Sequence, residues 1–263
     1  MAVVTGSPEI RAKNPLFSSI LANTMLSVVP GISGAGPSPE KTLLTPILDA
    51  ELITCGKITS MPVRPDTPTG CPTPASITRA VMELCGLSPL FINGGLVHTP
   101  TVPCLDTYGI PGEDPRFRDA VPDAGALFRK GRSIGTFLGS VSDLLVLGEC
   151  VPGGTTTSLC VLRGLGYDAL VSSSYARNPV AMKEEVWSIV NRRIQEGHYR
   201  TPLDIVRCCG DPMIAIAAGI AATYSWSIIL GGGTQMLSVA AVLKGMNLPI
   251  PGIATTCYVR DDS

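Results

Sequence analysis

Leu144-Leu145-Val146-Leu147-Gly148-Glu149-Cys150-Val151-Pro152-Gly153-Gly154-Thr155-Thr156-Thr157, running on through Ser158-Leu159-Cys160-Val161-Leu162-Arg163-Gly164-Leu165-Gly166, is the stretch on which the fold turns. Its four leading apolar residues are too few for a helix and do not alternate, which is the pattern of a strand covered on both faces. The strand delivers Gly148 and Glu149 to its carboxyl end, Gly153-Gly154 allows a tight turn, and the threonines open a helix over 156–165. Strand, glycine turn and helix in that order predict one βα unit of a parallel sheet.

The same alternation extends in both directions. Short apolar runs predict strands over 89–92, 227–230 and 253–259 in addition to 144–147. Amphipathic or apolar segments predict further helices over 75–84, 122–138, 180–195, 213–223 and 235–243. Asp211-Pro212 reads as an N-cap followed by a first-turn proline, so the helix at 213 starts cleanly. The expected architecture is a doubly wound, mostly parallel, Rossmann-like α/β domain over residues 1–263, with a smaller helical portion contributed by the N-terminal region. Pro- and Gly-rich connections at 30–39, 62–74 and 94–122 are long for a compact domain, and they should gather at the carboxyl ends of the strands, where ligands bind.

Composition narrows the function. The chain has 263 residues, 45% of them hydrophobic and 16% charged, and this suits a buried core rather than disorder. The net charge is −1 with no basic block, and aromatics make up 5%, so neither an electrostatic footprint nor a stacking platform for nucleic acid is expected. The nine cysteines are odd in number and none is spaced as a zinc knuckle; with two histidines in the chain, we expect reduced thiols, a cytoplasmic location, and neither metal nor cofactor. The N-terminus has no continuous apolar segment, so no secretory signal is expected. Residues 213–242 carry no charge, but Gly231-Gly232-Gly233 interrupts them, and helix, strand, glycine loop and helix is a simpler reading than a membrane span.

Three stretches are suited to an anion. Gly153 and Gly154 let a ligand approach the backbone, and Thr155 and Thr156 add neutral donors at a positive helix end. Gly231-Gly232-Gly233-Thr234 repeats that logic after the 227–230 strand, and Ser172-Ser173-Ser174-Tyr175-Ala176-Arg177 offers hydroxyls and one guanidinium. Each stretch alone would also suit a capped turn; together on one α/β chain they point to a ligand carrying phosphate and ribose. Glu149 is the acid placed inside the first loop. It would repel phosphate, which leaves it three roles: ribose anchor, general base, or cap of a neighbouring loop.

Gly148-Glu149-Cys150-Val151-Pro152-Gly153-Gly154-Thr155-Thr156 resembles the GE-x-x-x-GNTT loop of the nicotinate-nucleotide:benzimidazole phosphoribosyltransferases of cobalamin biosynthesis, with Gly154 at the asparagine position. Thr201-Pro202-Leu203-Asp204-Ile205-Val206, Gly210-Asp211-Pro212-Met213 and Ala217-Ala218-Gly219 resemble that family's DPLEVL…GG-x-EIAAMAGA segment, and Gly231 to Gln235 falls at its DGF. Gly31-Ile32-Ser33 through Pro39-Glu40-Lys41-Thr42 is similar to GVS-x-x-P-x-EVT. The stretches occur in the family's order over about residues 25–260, closest to its archaeal and cyanobacterial branch.

The resemblance implies transfer of 5-phosphoribose from nicotinate mononucleotide to 5,6-dimethylbenzimidazole or a related base, giving α-ribazole phosphate and nicotinate, in a homodimer. It implies phosphate and ribose contacts at Gly148, Gly153, Gly154, Thr155, Thr156, Ser173, Ser174, Arg177, Gly232, Gly233 and Thr234, and a base pocket at Ser33, Pro39, Glu40 and Thr42. The family's catalytic glutamate lies in a C-terminal RLGEGTGA-like segment. This sequence stops at Val259-Arg260-Asp261-Asp262-Ser263, so the segment is expected to be absent and Glu149 is the catalytic candidate. The alternative is a relative that binds nucleotide or benzimidazole without turnover. A transferase using phosphoribosyl pyrophosphate fits less well, because Arg260 breaks the apolar run before Asp261-Asp262. A serine hydrolase is set aside, because only His98 and His198 could serve as its base.

Overall fold

The computed structural model describes residues 10–36, 38–63, 70, 72–173, 175 and 178–260, apart from the side chains of Pro39, Glu40 and Tyr258. Strands β1 (Pro15–Ala22), β2 (Pro89–Gly95), β3 (Cys104–Asp106), β4 (Leu144–Cys150), β5 (Ser227–Gly231) and β6 (Gly252–Ala254) form one sheet in the order β3-β2-β1-β4-β5-β6. Every pairing is parallel. This is the doubly wound order of a Rossmann fold, as expected from the sequence. The chain leaves β1 toward one edge and returns at β4 to build toward the other. The switch point is therefore the seam between β1 and β4, where Ser19 stands in register with Gly148, and Leu21 with Cys150.

Helices α1 (Pro39–Thr42), α2 (Thr45–Cys55) and α3 (Ala75–Cys85) lie between β1 and β2, and α4 (Ala124–Val141) between β3 and β4. Helices α5 (Gly154–Gly164), α6 (Val180–Glu196), α7 (Pro202–Cys209) and α8 (Pro212–Thr223) separate β4 from β5; α9 (Thr234–Gly245) precedes β6 and α10 (Cys257–Arg260) follows it. One face of the sheet, with Ile20, Ala22, Ile92, Leu145 and Leu147, packs into the main core with α4, α5, α8 and α9. The opposite face, with Phe17, Leu21 and Phe91, belongs to a smaller cluster under α2 and α3.

Helices α4 and α8 meet backbone to backbone. A Cβ on Gly131 would lie 2.3 Å from the Ile216 carbonyl oxygen, and one on Gly219 would lie 2.2 Å from that of Phe128. Helix α8 is the charge-free segment read as a buried helix. Asp211 caps it, accepting from Ile214 N at 3.3 Å, and Pro212 occupies its first turn. Among the described residues no helix is long and apolar enough to cross a membrane.

Two regions differ from expectation. The strand expected over 253–259 covers only Gly252–Ala254; Thr256 then accepts from Val259 N and the chain turns into α10. The N-terminal region, expected to supply helix, also supplies β1, the strand that carries half of the switch point. Ser18 and Ser19 interrupt its apolar run, although both are buried.

Candidate active site

Strand β4 ends against the switch point, and the loop after it is shaped by two glycines. Gly153 sits at φ +80°, and a Cβ there would lie 3.0 Å from that of Ser27. Helix α5 begins at Gly154 with no side-chain cap; within its first turn Gly154 N donates to Val151 O at 2.9 Å and Thr156 N to Gly153 O at 3.0 Å. That leaves a helix terminus suited to an anion at the carboxyl edge of the sheet.

Glu149 stands beside this turn. Its Oε2 accepts from Val151 N at 3.0 Å and from Gln235 Nε2 at 2.8 Å, and Gln235 Nε2 also donates to Val151 O at 3.2 Å. Burial, and then the charge of Asp211, pushes the Glu149 carboxyl up to about 8. Asp211 is itself raised to about 6 by burial, and it accepts from Thr157 Oγ1 at 2.6 Å. The loop is thus tied to the start of α8 below it and to α9 beside it. A Cβ on residue 154 would lie 2.2 Å from Gln235 Nε2. This accounts for glycine where the resembling pattern has asparagine: the Gln235 carboxamide fills the space into which a side chain at 154 would project.

A cavity of about 1460 Å³ opens over the switch point. A pocket for one small ligand holds ~300–1,000 Å³, so this one has room for two. Ser19 and Leu21 of β1, Phe91 of β2 and Gly148 to Cys150 of β4 form its floor; Asp49, Ala50 and Ile53 of α2 form its roof. Of the residues singled out in the sequence, Ser33, Gly148, Glu149, Gly153, Gly154 and Thr155 line it together. Thr156 lies beneath them, fully buried, with no hydrogen-bond partner for Oγ1 among the described residues.

Among the described residues, the other expected ones lie outside the cavity lining. The Thr42 hydroxyl is spent on its own loop, donating to Ala35 O and, at 3.1 Å, to Ser38 O. Ser173 accepts from Tyr175 N in a local turn. Thr234 bonds Ser172 at 3.1 Å and so links the second glycine loop to the serine stretch, while its neighbours Gly231 and Gln235 reach the cavity in place of Gly232 and Gly233. Ser174 and Arg177 lie outside the described residues, as do the side chains of Pro39 and Glu40.

The structure adds residues that the sequence did not mark. Lys41, Asp49, Cys150, Tyr175 and Gln235 all line the cavity. The Tyr175 hydroxyl donates to Ser33 O at 2.7 Å and joins the serine stretch to the loop after Gly31. Asp49 accepts from Thr73 Oγ1 at 3.2 Å and from Cys150 Sγ at 3.7 Å, and burial raises its carboxyl to about 6. Burial, and then Asp49, pushes the Cys150 thiol well up.

Known proteins share this framework. No protein-family model matches the chain. Over 89% of its length it superposes, with a TM-score of 0.64 and 15% identity, on a nicotinate-nucleotide-dimethylbenzimidazole phosphoribosyltransferase from Thermus thermophilus, of which it spans 65%. A second structure from that organism, CobT, gives a TM-score of 0.65 at 14% identity and is spanned to 66%. At these identities the likeness establishes the fold, and it agrees with the resemblance carried by the motifs. In sequence, 97% of the chain aligns at 39% identity with 76% of a UPF0284 protein from Methanosarcina mazei, and 94% aligns at 43% identity with 76% of one from Thermococcus gammatolerans. The chain therefore belongs to the UPF0284 family.

Proposed function

We propose that the chain transfers 5-phosphoribose from nicotinate mononucleotide to 5,6-dimethylbenzimidazole or a related base, giving α-ribazole phosphate and nicotinate for the lower ligand of cobalamin. One observation carries this reading: a two-ligand cavity lies over the β1–β4 switch point, with a helix terminus that no side chain caps and a shielded carboxyl group on the same wall. The motif resemblance and the shared fold support it.

In this reading the phosphate sits at the start of α5, held by Gly153, Gly154, Thr155 and Thr156, with Ser173, Ser174, Arg177 and the Gly232–Thr234 loop completing the nucleotide site. Ser33 faces the base, and Pro39, Glu40 and Thr42 shape its loop. Glu149, largely protonated at neutral pH, donates to a ribose hydroxyl, and its ionised fraction is a strong base. The leaving group is already a pyridinium and departs as neutral nicotinate ring nitrogen, so binding and orientation carry most of the chemistry. The reading includes a cytoplasmic homodimer.

The test is chromatographic: incubate the chain with nicotinate mononucleotide and 5,6-dimethylbenzimidazole and look for α-ribazole phosphate. Product is expected, and Glu149→Gln should lower its rate by about 100-fold; unchanged turnover in that variant removes Glu149 from the chemistry. A second reading, binding without turnover, draws on the two hydrogen bonds that already hold Glu149 Oε2. Nucleotide binding by calorimetry with no product would favour it.

A further inference from the structure

Asp49 has no place in the scheme above, yet its surroundings are those of a ligand group. It lies on α2, in the roof of the cavity, among Leu48, Ala50 and Ile53, across from Leu21 and Phe91. The only polar side chains that reach it among the described residues are a threonine hydroxyl from before α3 and the thiol of Cys150 from β4. Neither brings a positive charge, and a buried carboxylate without a cation or a set of N–H donors is costly. An apolar slot with one such carboxyl group suits a flat heterocycle that offers a single N–H, since a polar ligand group supplies the missing donor. Glu149 is less suited to that task because its Oε2 is held by Val151 N and Gln235.

We infer that Asp49 is the recognition group for the incoming base: its carboxylate accepts the ring N–H of an azole such as a benzimidazole, selecting heterocycles that carry that proton. The inference rests on the proposed transfer and extends it. As the unprotonated ring nitrogen bonds to the anomeric carbon, the C–N bond to nicotinate breaks and its electron pair stays on the pyridine nitrogen. The proton of the second azole nitrogen passes to Asp49 rather than to Glu149, which keeps its ribose contact, and from Asp49 to water. The carboxyl's raised proton affinity, from burial, suits it to receive that proton.

The test compares 5,6-dimethylbenzimidazole with 1,5,6-trimethylbenzimidazole, which lacks the N–H, by calorimetry on the full chain. Wild type should bind the first at least about tenfold more tightly, the size of effect expected when a charged acceptor loses its donor. In Asp49→Leu the preference should vanish or reverse, and in Asp49→Asn, which keeps the side-chain volume, it should shrink to about threefold. Nicotinate mononucleotide titrated into each variant reports whether the site has kept its shape. A preference unchanged in both variants would mean that bulk at the methylated nitrogen, not Asp49, discriminates, and would overturn the assignment. Wild type that binds neither base also overturns it. Retained nucleotide binding in that sample would leave the phosphoribosyl reading standing, and its loss would take both down.

Discussion

The two faces of β1 have different neighbours. Ile20 and Ala22 point into the core beneath α4 and α8, where glycines bring two helices into backbone contact and leave no space. Ser19 and Leu21, from the same strand, look across the cavity toward α2. Alternate residues of one strand thus serve a sealed interior and an open site. The sealed face fixes the height of the sheet against α4 and α8. The open face keeps two shielded carboxyl groups, Asp49 and Glu149, that a well-packed interior would exclude.

Substitutions should respond to this asymmetry in opposite ways. The largest effect belongs to the sealed side: Gly131→Ala or Gly219→Ala puts a Cβ into a facing carbonyl and should lower unfolding free energy by about 3 kcal/mol in urea titrations. A loss below about 1 kcal/mol would show that the helices can part, and the contrast would weaken. Next comes the rim, where Gly154→Ala displaces the Gln235 amide and should cost about 2 kcal/mol. Adding Gln235→Ala to that variant should recover part of the loss, a non-additivity measurable in a double-mutant cycle.

Inside the cavity the expected effects depend on pH. Glu149 has a folded-state value of about 8 against 4.5 for the unperturbed group, so the native state binds its proton more tightly than the unfolded chain. Its contribution to stability is complete below about pH 4.5 and is lost as pH rises through 8. Glu149→Gln should therefore lose less stability than wild type over that interval; equal slopes would mean that the group is solvated. The smallest change should come from Asp49→Asn, with unfolding free energy within about 0.5 kcal/mol of wild type or above it. A marked loss there would make Asp49 a structural residue and blur the comparison.

Legibility in the sequence followed the reach of each signal rather than the two faces. The 144–147 strand, the glycine turn and the helix after it read correctly because each signal is local, and Asp211-Pro212 marks the start of α8 by its own capping chemistry. Strand β1 was not read, because Ser18 and Ser19 break an apolar run too short to survive the interruption. Helix α2 was missed for a different reason. It is buried on several sides, with Ile47, Ala50, Leu52 and Ile53 sharing the interior with Glu51, whose carboxylate is satisfied by Thr59 and Ser60, so no polar stripe betrays its period. Asp49 was invisible in consequence. Its partner Cys150 lies 101 residues away, and only the sheet order brings them together. Thr42 and Ser173 carried the right chemistry in the sequence, but their hydroxyls are engaged in turns within their own loops.

The contact between position 154 and Gln235 also bears on how this chain can vary. Any residue larger than glycine at 154 claims the volume that the Gln235 carboxamide occupies, and that same carboxamide holds Glu149. The two positions share one space, so a side chain at 154 has to push the Gln235 carboxamide aside and with it the hydrogen bond to Glu149. Position 154 therefore sets, through Gln235, how firmly that carboxyl group is held.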